Sequence, residues 1–229
     1  MEIRLASLSE GATSAAGTVV VIDVFRAFTC AAVAFARGVE RIVMVGGIEQ
    51  ALAARAAGRG DLCMGEKRGR KPDGFDFPNS PALLDAAELR GRILIQATSN
   101  GTTGLEAAVG AERLYAASLV NAAATAKAVL RDAPAVVTLV AMGQYGVTRA
   151  DEDELCALYL RALLRGRRPD GEALARLLAS LLAEPPPDLV AAGHYHPRDR
   201  AIAMQVDRFD RAIRVRREDG LLVARPETA

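Results

Sequence analysis

Residues 18–23 read TVVVID, an apolar run that closes on a carboxylate. A strand with one wet face alternates polar and apolar residues. A run with no polar break reads as a strand buried on both faces, the habit of parallel sheets. A helical pattern follows over about 27–37, so the unit is strand, turn, helix. Working outward, the unit repeats. RIVMV (41–45) reads as a strand and IEQALAARAA (48–57) as a helix. DLCMGE (61–66) is a short strand. GRILIQAT (91–98) is a strand, with a helix over roughly 101–109 behind it. ERLYAAS (112–118) and NAAATAKAVLRD (121–132) form the next pair. AVVTLVAM (135–142) precedes ADEDELCALYLRALLRG (150–166), a long helix closed by Gly166. This alternation predicts an α/β fold, layered α/β/α, with a mostly parallel but mixed sheet. Ligands in that architecture bind at the carboxyl ends of the strands.

The rest of the chain departs from the pattern. Residues 167–200 carry helical stretches and the PPP of 185–187, and are expected to be a helical segment packing on the sheet. RAIRVRR (211–217) and LLVARP (221–226) read as a terminal hairpin or edge strands around Asp219-Gly220. No linker separates these parts, so residues 1–229 are expected to form a single domain.

Composition narrows the function classes. The chain has 229 residues, of which 51% are apolar and 4% aromatic, with no Trp, so the core is expected to be Ala, Val and Leu. Basic and acidic residues number 29 and 28. That balance argues against nucleic acid as a partner, which needs a surplus of positive charge. No apolar run is long enough to cross a membrane. MEIRLASLSE (1–10) lacks the look of a signal peptide. Cys30, Cys63 and Cys156 are far apart and suit neither a zinc site nor a disulfide framework. Cys156 lies in an apolar helix face and reads as core. A cytoplasmic location with reduced thiols is expected.

Polar groups gather where strands end. Asp23 follows TVVVI, and a carboxylate there costs free energy unless it caps the next helix, is paired, or holds a metal. Arg26, three residues on, suits an anion beside that metal. Glu66 follows DLCMG and opens the long polar loop GEKRGRKPDGFDFPNSP (65–81), which also carries Lys67 and Arg68. At its end, Ser80 and Pro81 read as the cap and first position of a helix, next to Asn79. Thr98, Ser99, Asn100, Gly101 and Thr102 are small polar residues in a row, more than one helix cap requires; helix-start N–H groups and hydroxyls favour an anion. Ser118 and Asn121 repeat the theme. Asp151, Glu152, Asp153 and Glu154 open a long helix, as acidic residues often do, and could also supply a metal ligand. His194 and His196 read as surface or capping residues. There is no GxxxxGK[ST], no GxGxxG after a strand, no DxD at Asp23 and no GxSxG elbow.

Taken in order, VVVIDVFRAFT (19–29), GEKRG (65–69), GFDFPNSP (74–81), TSNGT (98–102), SLVN (118–121) and EDELCA (152–157) resemble the 2-phosphosulfolactate phosphatase family, with a weaker match over DRAIAMQVDRFD (199–210). The resemblance implies a Mg²⁺-dependent phosphatase that converts 2-phospho-3-sulfolactate to 3-sulfolactate and phosphate, a step toward coenzyme M. It also suggests a homodimer. The expected catalytic residues are Asp23, Arg26, Glu66 and Asn100. Asp23 and Glu66 are the expected metal ligands, with Glu152 or Asp153 completing the shell. Arg26 and the donors of Ser99–Thr102 would hold the phosphoryl oxygens, and Lys67 or Arg68 the second anionic group of a small phosphoester. Asn79, Ser80, Thr98, Ser118 and Asn121 complete the expected substrate-binding set. The family pattern is altered at Phe28, Cys30, Phe77-Pro78, Gln96–Ser99 and MGQYG (142–146), residues expected to line the pocket. The alternatives are a phosphatase for another small phosphorylated hydroxy acid, and a non-catalytic anion-binding protein of the same fold.

Overall fold

The computed structural model describes residues 1–228. In chain order the elements are β1 (Glu2–Ser7), α1 (Leu8–Ser14), β2 (Gly17–Ile22), α2 (Ala27–Ala36), β3 (Arg41–Val45), α3 (Ile48–Ala56), β4 (Leu62–Gly65), β5 (Phe77–Pro78), α4 (Pro81–Asp85), β6 (Ile93–Ala97), α5 (Gly101–Ala107) and β7 (Ala111–Ala117). A 3₁₀ turn (Leu119–Asn121) leads into α6 (Ala122–Arg131), followed by β8 (Val136–Ala141), α7 (Asp151–Leu164), α8 (Gly171–Leu181), α9 (Pro187–Ala191), α10 (Asp199–Ala203), β9 (Arg211–Glu218) and β10 (Leu221–Thr228). The strands form one mixed sheet in the order β1-β8-β2-β7-β9-β10-β3-β6-β4-β5.

The unbroken apolar run of β2 is explained by two cores. Val19 and Val21 join a cluster with α2 and α5, while Val20 and Ile22 join a second with α6 and α7. Both faces of the strand are therefore dry, and each such buried side chain contributes about 1.5–3 kcal/mol. A charge at Val21 would break the inner cluster. On the other half of the sheet, Val43, Val45, Cys63 and Ile95 pack under α3 in a third cluster.

The two halves run in opposite directions. β1, β8, β2 and β7 are parallel to one another, as are β3, β6, β4 and β5. Between them stand β9 and β10, and each of the junctions β7–β9, β9–β10 and β10–β3 is antiparallel. The terminal hairpin is thus at the centre of the sheet, which corrects the edge-strand reading. Ala212, Ile213 and Ala224 are buried there.

Despite their opposite polarity, the carboxyl ends of the halves meet. A Cβ placed on Gly101, after β6, would lie 3.0 Å from Asp23, after β2. Strand twist accumulates across a sheet, and here it brings the halves around α2 and α5. α5 touches β2 and β7 of one half and β3 of the other. α2, AFTCAAVAFA, is buried from Ala27 to Phe35 and apolar on every side, as a helix enclosed by a curled sheet must be.

β1 and α1 escaped the sequence reading. β1 alternates charge with apolar residues and is largely exposed. Over 167–200, α8 lies against α7 and α10 against α4. No helix among the described residues is long and apolar enough to cross a membrane.

Candidate active site

Asp23 leaves β2 at the point where α2 and α5 converge. Its Oδ1 accepts the Ala27 N–H at 3.0 Å, and the Gly101 N–H also stabilises the carboxylate. The capping role is therefore real, but it coexists with a second neighbourhood. Asp23 is 3% exposed. Burial pushes its pKa up to about 7; the Ala27 N–H opposes this, Glu66 and Glu152 raise it further, and the Gly101 N–H opposes. Gly101 has to be glycine: a Cβ there would stand 2.7 Å from the Ala27 Cβ and 3.0 Å from Phe28.

Asp153, in the first turn of α7, bridges two strand ends. Its Oδ1 accepts the Val24 N–H at 2.7 Å and its Oδ2 the Gly143 N–H at 2.9 Å. Burial raises its pKa well above the carboxylate range, and Asp23 and Glu152 raise it further. Glu152 is half-buried, and its pKa is raised by burial and then by Asp151. Glu66 clamps two loops: Oε1 accepts the Ser99 N–H at 2.6 Å, while Oε2 accepts the Gly69 N–H at 2.6 Å and the Ser99 hydroxyl at 3.3 Å. Asp23, Glu66, Glu152 and Asp153 are thus brought together, and none is matched by a cation among the described residues.

Much of the hydroxyl cluster at 98–102 serves its own backbone. The Thr102 hydroxyl accepts the Thr98 N–H at 2.9 Å and donates to the Thr98 carbonyl at 3.0 Å, while the Thr98 hydroxyl accepts the Thr102 N–H at 3.2 Å. The Ser99 hydroxyl accepts the Arg68 N–H at 3.3 Å. Asn100 is different, since its Oδ1 is buried without a partner. At the end of β7, next to β2, the Asn121 Oδ1 accepts the Ser118 N–H at 2.9 Å. The Ser118 hydroxyl and the Asn121 Nδ2 are buried and unpartnered, as is the Asn79 Oδ1. Unpaired buried polar atoms are costly and rare.

Arg26 has a structural partner. Its Nη1 donates to Asp199 Oδ2 at 2.8 Å and to the His194 carbonyl at 3.2 Å, and its guanidinium lies 4.3 Å over the Tyr195 ring. Asp199 also accepts the Ser80 hydroxyl at 2.7 Å, the Ala82 N–H at 3.0 Å and the His196 N–H at 2.9 Å. Ser80 caps α4 as its sequence suggested, accepting the Leu83 N–H at 3.4 Å. Asp199 is the residue that the reading of strand ends missed. Its only signal was membership of the weakly matching 199–210 stretch. His194 and His196 each accept a backbone N–H at 3.1 Å, from Lys71 and Arg198.

An open cleft of about 630 Å³ borders this region, with Glu66, Lys67, Thr98 and Ser99 on one wall and Gly47, Gln50 and Glu106 on the other. Phe28 and Cys30 do not line it; both are fully buried in the core. The Gln96 side chain is buried too, donating to the Ala27 carbonyl at 2.8 Å. Met142 is enclosed against Gly104. Phe28, Cys30, Gln96 and Met142 thus lie in the core around the site, which corrects their placement in the pocket, whereas Ala97, Thr98 and Ser99 do line the cleft.

The carboxylates suit a hard cation in kind: they are oxygen donors with an excess of negative charge, and burial raises the pKa of Asp23, Glu152 and Asp153. Among the described residues no three His, Cys, Asp or Glu converge closely enough to enclose an ion as they stand. Mg²⁺ does not require that, because it commonly takes one or two carboxylates together with water and substrate phosphate. Glu152 accepts no N–H but its own, whereas Asp23, Asp153 and Glu66 each already take two.

Comparison with known proteins identifies a family. Residues 5–196 match the family model described as 2-phosphosulpholactate phosphatase. A probable 2-phosphosulfolactate phosphatase of Bacillus subtilis is 34% identical over 171 residues, 72% of each chain. One of Carboxydothermus hydrogenoformans is 43% identical over 113 residues, 49% of this chain and 47% of that one. One of Synechococcus is 35% identical over 160 residues, 69% of this chain and 64% of its own. The class is that of phosphoric monoester hydrolases. The chain belongs to the 2-phosphosulpholactate phosphatase family.

Proposed function

We propose that the protein hydrolyses 2-phospho-3-sulfolactate to 3-sulfolactate and phosphate, with Mg²⁺ as cofactor, in the cytoplasm. The observation that carries the reading is the group of buried carboxylates around Asp23, set between the starts of α2 and α5 with no compensating cation among the described residues. Asp23 and Glu152 would hold the ion, with Glu66 nearby. The metal supplies Lewis acidity toward a phosphoryl oxygen and a more acidic water. The chain does the positioning. Asp153 ties the ends of β2 and β8 to α7. Glu66 fixes the Ser99 and Gly69 backbones. The Asn100 side chain, whose Oδ1 has no partner, would offer its amide NH2 to developing negative charge. Lys67, on the wall of the cleft, would meet the second anionic group.

The test is phosphate release from 2-phospho-3-sulfolactate and from a panel of phosphorylated hydroxy acids, with Mg²⁺ and with chelator. Chelator-sensitive turnover that prefers the sulfonate supports the reading. Turnover of another ester alone keeps the site and replaces the substrate. No release from any ester, with ligand-dependent thermal stabilisation, would show an anion-binding protein.

A further inference from the structure

The two edges of the sheet are built differently. β5 is two residues long and contains Pro78, so it offers little to an incoming strand. β1 is six residues, EIRLAS, with no proline, lysine or bulge. It pairs with β8 on one side only. The Glu2 N–H bonds to the Ala135 carbonyl at 2.8 Å, so the even residues of β1 face β8. The N–H and C=O groups of Ile3 and Leu5 therefore point outward. Met1 and Leu5 are 52% and 44% exposed on the face that packs under α7, and Leu158 of α7 is 40% exposed. Such an edge recruits another strand unless something covers it.

We propose that β1 is covered by β1 of a second copy, in antiparallel register with Ile3 opposite the partner's Ile3, extending the sheet through a two-fold axis. Charge selects the register. Outward-facing odd residues allow only slides of two, and each slide gives a different set of opposing side chains. With Ile3 opposite the partner's Ile3, Glu2 faces the partner's Arg4 and Arg4 the partner's Glu2. Met1 then faces the partner's Leu5. One slide puts Glu2 against the partner's Glu2, and the opposite slide puts Arg4 against the partner's Arg4. Like charges directly opposite destabilise a pair, and opposite charges stabilise it. Within one chain, Glu2 and Arg4 already lie side by side at 2.8 Å, so the joint would form a ring of alternating charge.

The experiment is sedimentation equilibrium of the full chain and four variants, with circular dichroism melts as the control for folding. The wild type is expected to dimerise. Glu2→Arg and Arg4→Glu should each weaken the dimer about tenfold or more, since each places like charges opposite one another. The double variant Glu2→Arg/Arg4→Glu should return to within about threefold of wild type. Ile3→Pro removes only an outward N–H, leaves the β8 ladder intact, and should give a folded monomer. A monomeric wild type, or a dimer indifferent to the single charge reversals, overturns the proposal. A double variant as weak as the singles does the same. None of these readouts depends on the phosphatase reading.

Discussion

Asp23 and Asp199 are two buried aspartates in opposite circumstances. Asp199 is fully enclosed and satisfied: Arg26 pairs with it, and Ser80, Ala82 and His196 donate to it. Asp23 is almost as deeply buried, but its charged neighbours are Glu66 and Glu152. A fold tolerates a buried carboxylate when its charge is matched. It keeps an unmatched one only under strain, and such positions tend to be functional. The comparison separates a carboxylate that holds the structure from one kept for chemistry.

The comparison can be broken by experiment. The largest effect is expected at Asp23. Asp23→Asn should lower phosphate release by roughly three to four orders of magnitude while leaving the protein folded. Near-normal turnover would remove Asp23 from the site. At Asp199 the loss should appear as stability. Asp199→Ala leaves Arg26 unpaired and should cost about 3–5 kcal/mol in urea denaturation. A variant as stable as wild type would show that the pair contributes nothing.

Gly101→Ala would sharpen the contrast, since the added methyl group pushes α5 away from both Ala27 and Asp23. A loss of about 1–3 kcal/mol is expected, with slower turnover in the folded fraction. Unchanged melting and unchanged kinetics would mean that the two helices separate freely.

The pH response follows from Asp23. Its pKa is raised from 3.8 to about 7 on folding, so the native state binds the proton more tightly than the unfolded chain. This contribution is fully present below about pH 4 and is lost as pH rises through about 7. The melting temperature of metal-free protein should fall over that window, and the fall should be smaller in Asp23→Asn. Parallel curves would contradict the raised pKa. The smallest effect is expected at Ser80. Ser80→Ala removes one cap and one donor to Asp199 and should cost about 1 kcal/mol, read by the same urea titration.

The strands that were legible in the sequence are those buried on both faces. TVVVID, ILIQA and VVTLVA were legible because short, mostly apolar runs rich in Val and Ile suit strands covered on both faces. β1 was not legible, since EIRLAS covers one side of one neighbour and is otherwise wet. The hairpin was visible in its Asp219-Gly220 turn, but its seat between β7 and β3 was not. Pairing partners a hundred residues away leave no local pattern. The site divided in the same way. Asp23 and Glu66 stood out as carboxylates at the ends of apolar strands. The hydroxyl row at 98–102 looked like an anion cradle, and in the structure Thr98 and Thr102 mostly satisfy one another. Arg26 looked like a phosphate ligand, and Asp199, 173 residues away, holds its Nη1.

The sequence alone determined the α/β alternation, the family and the strand ends at which polar groups collect. Each of these depends on short-range periodicity or on residues adjacent in the chain. Tertiary structure decided that the sheet turns back through a central hairpin, so that halves of opposite polarity bring Asp23, Glu66 and Asp153 together. It also decided which buried charges are matched. Charge compensation depends on distance in space, and the fold sets that distance by curling the sheet around α2.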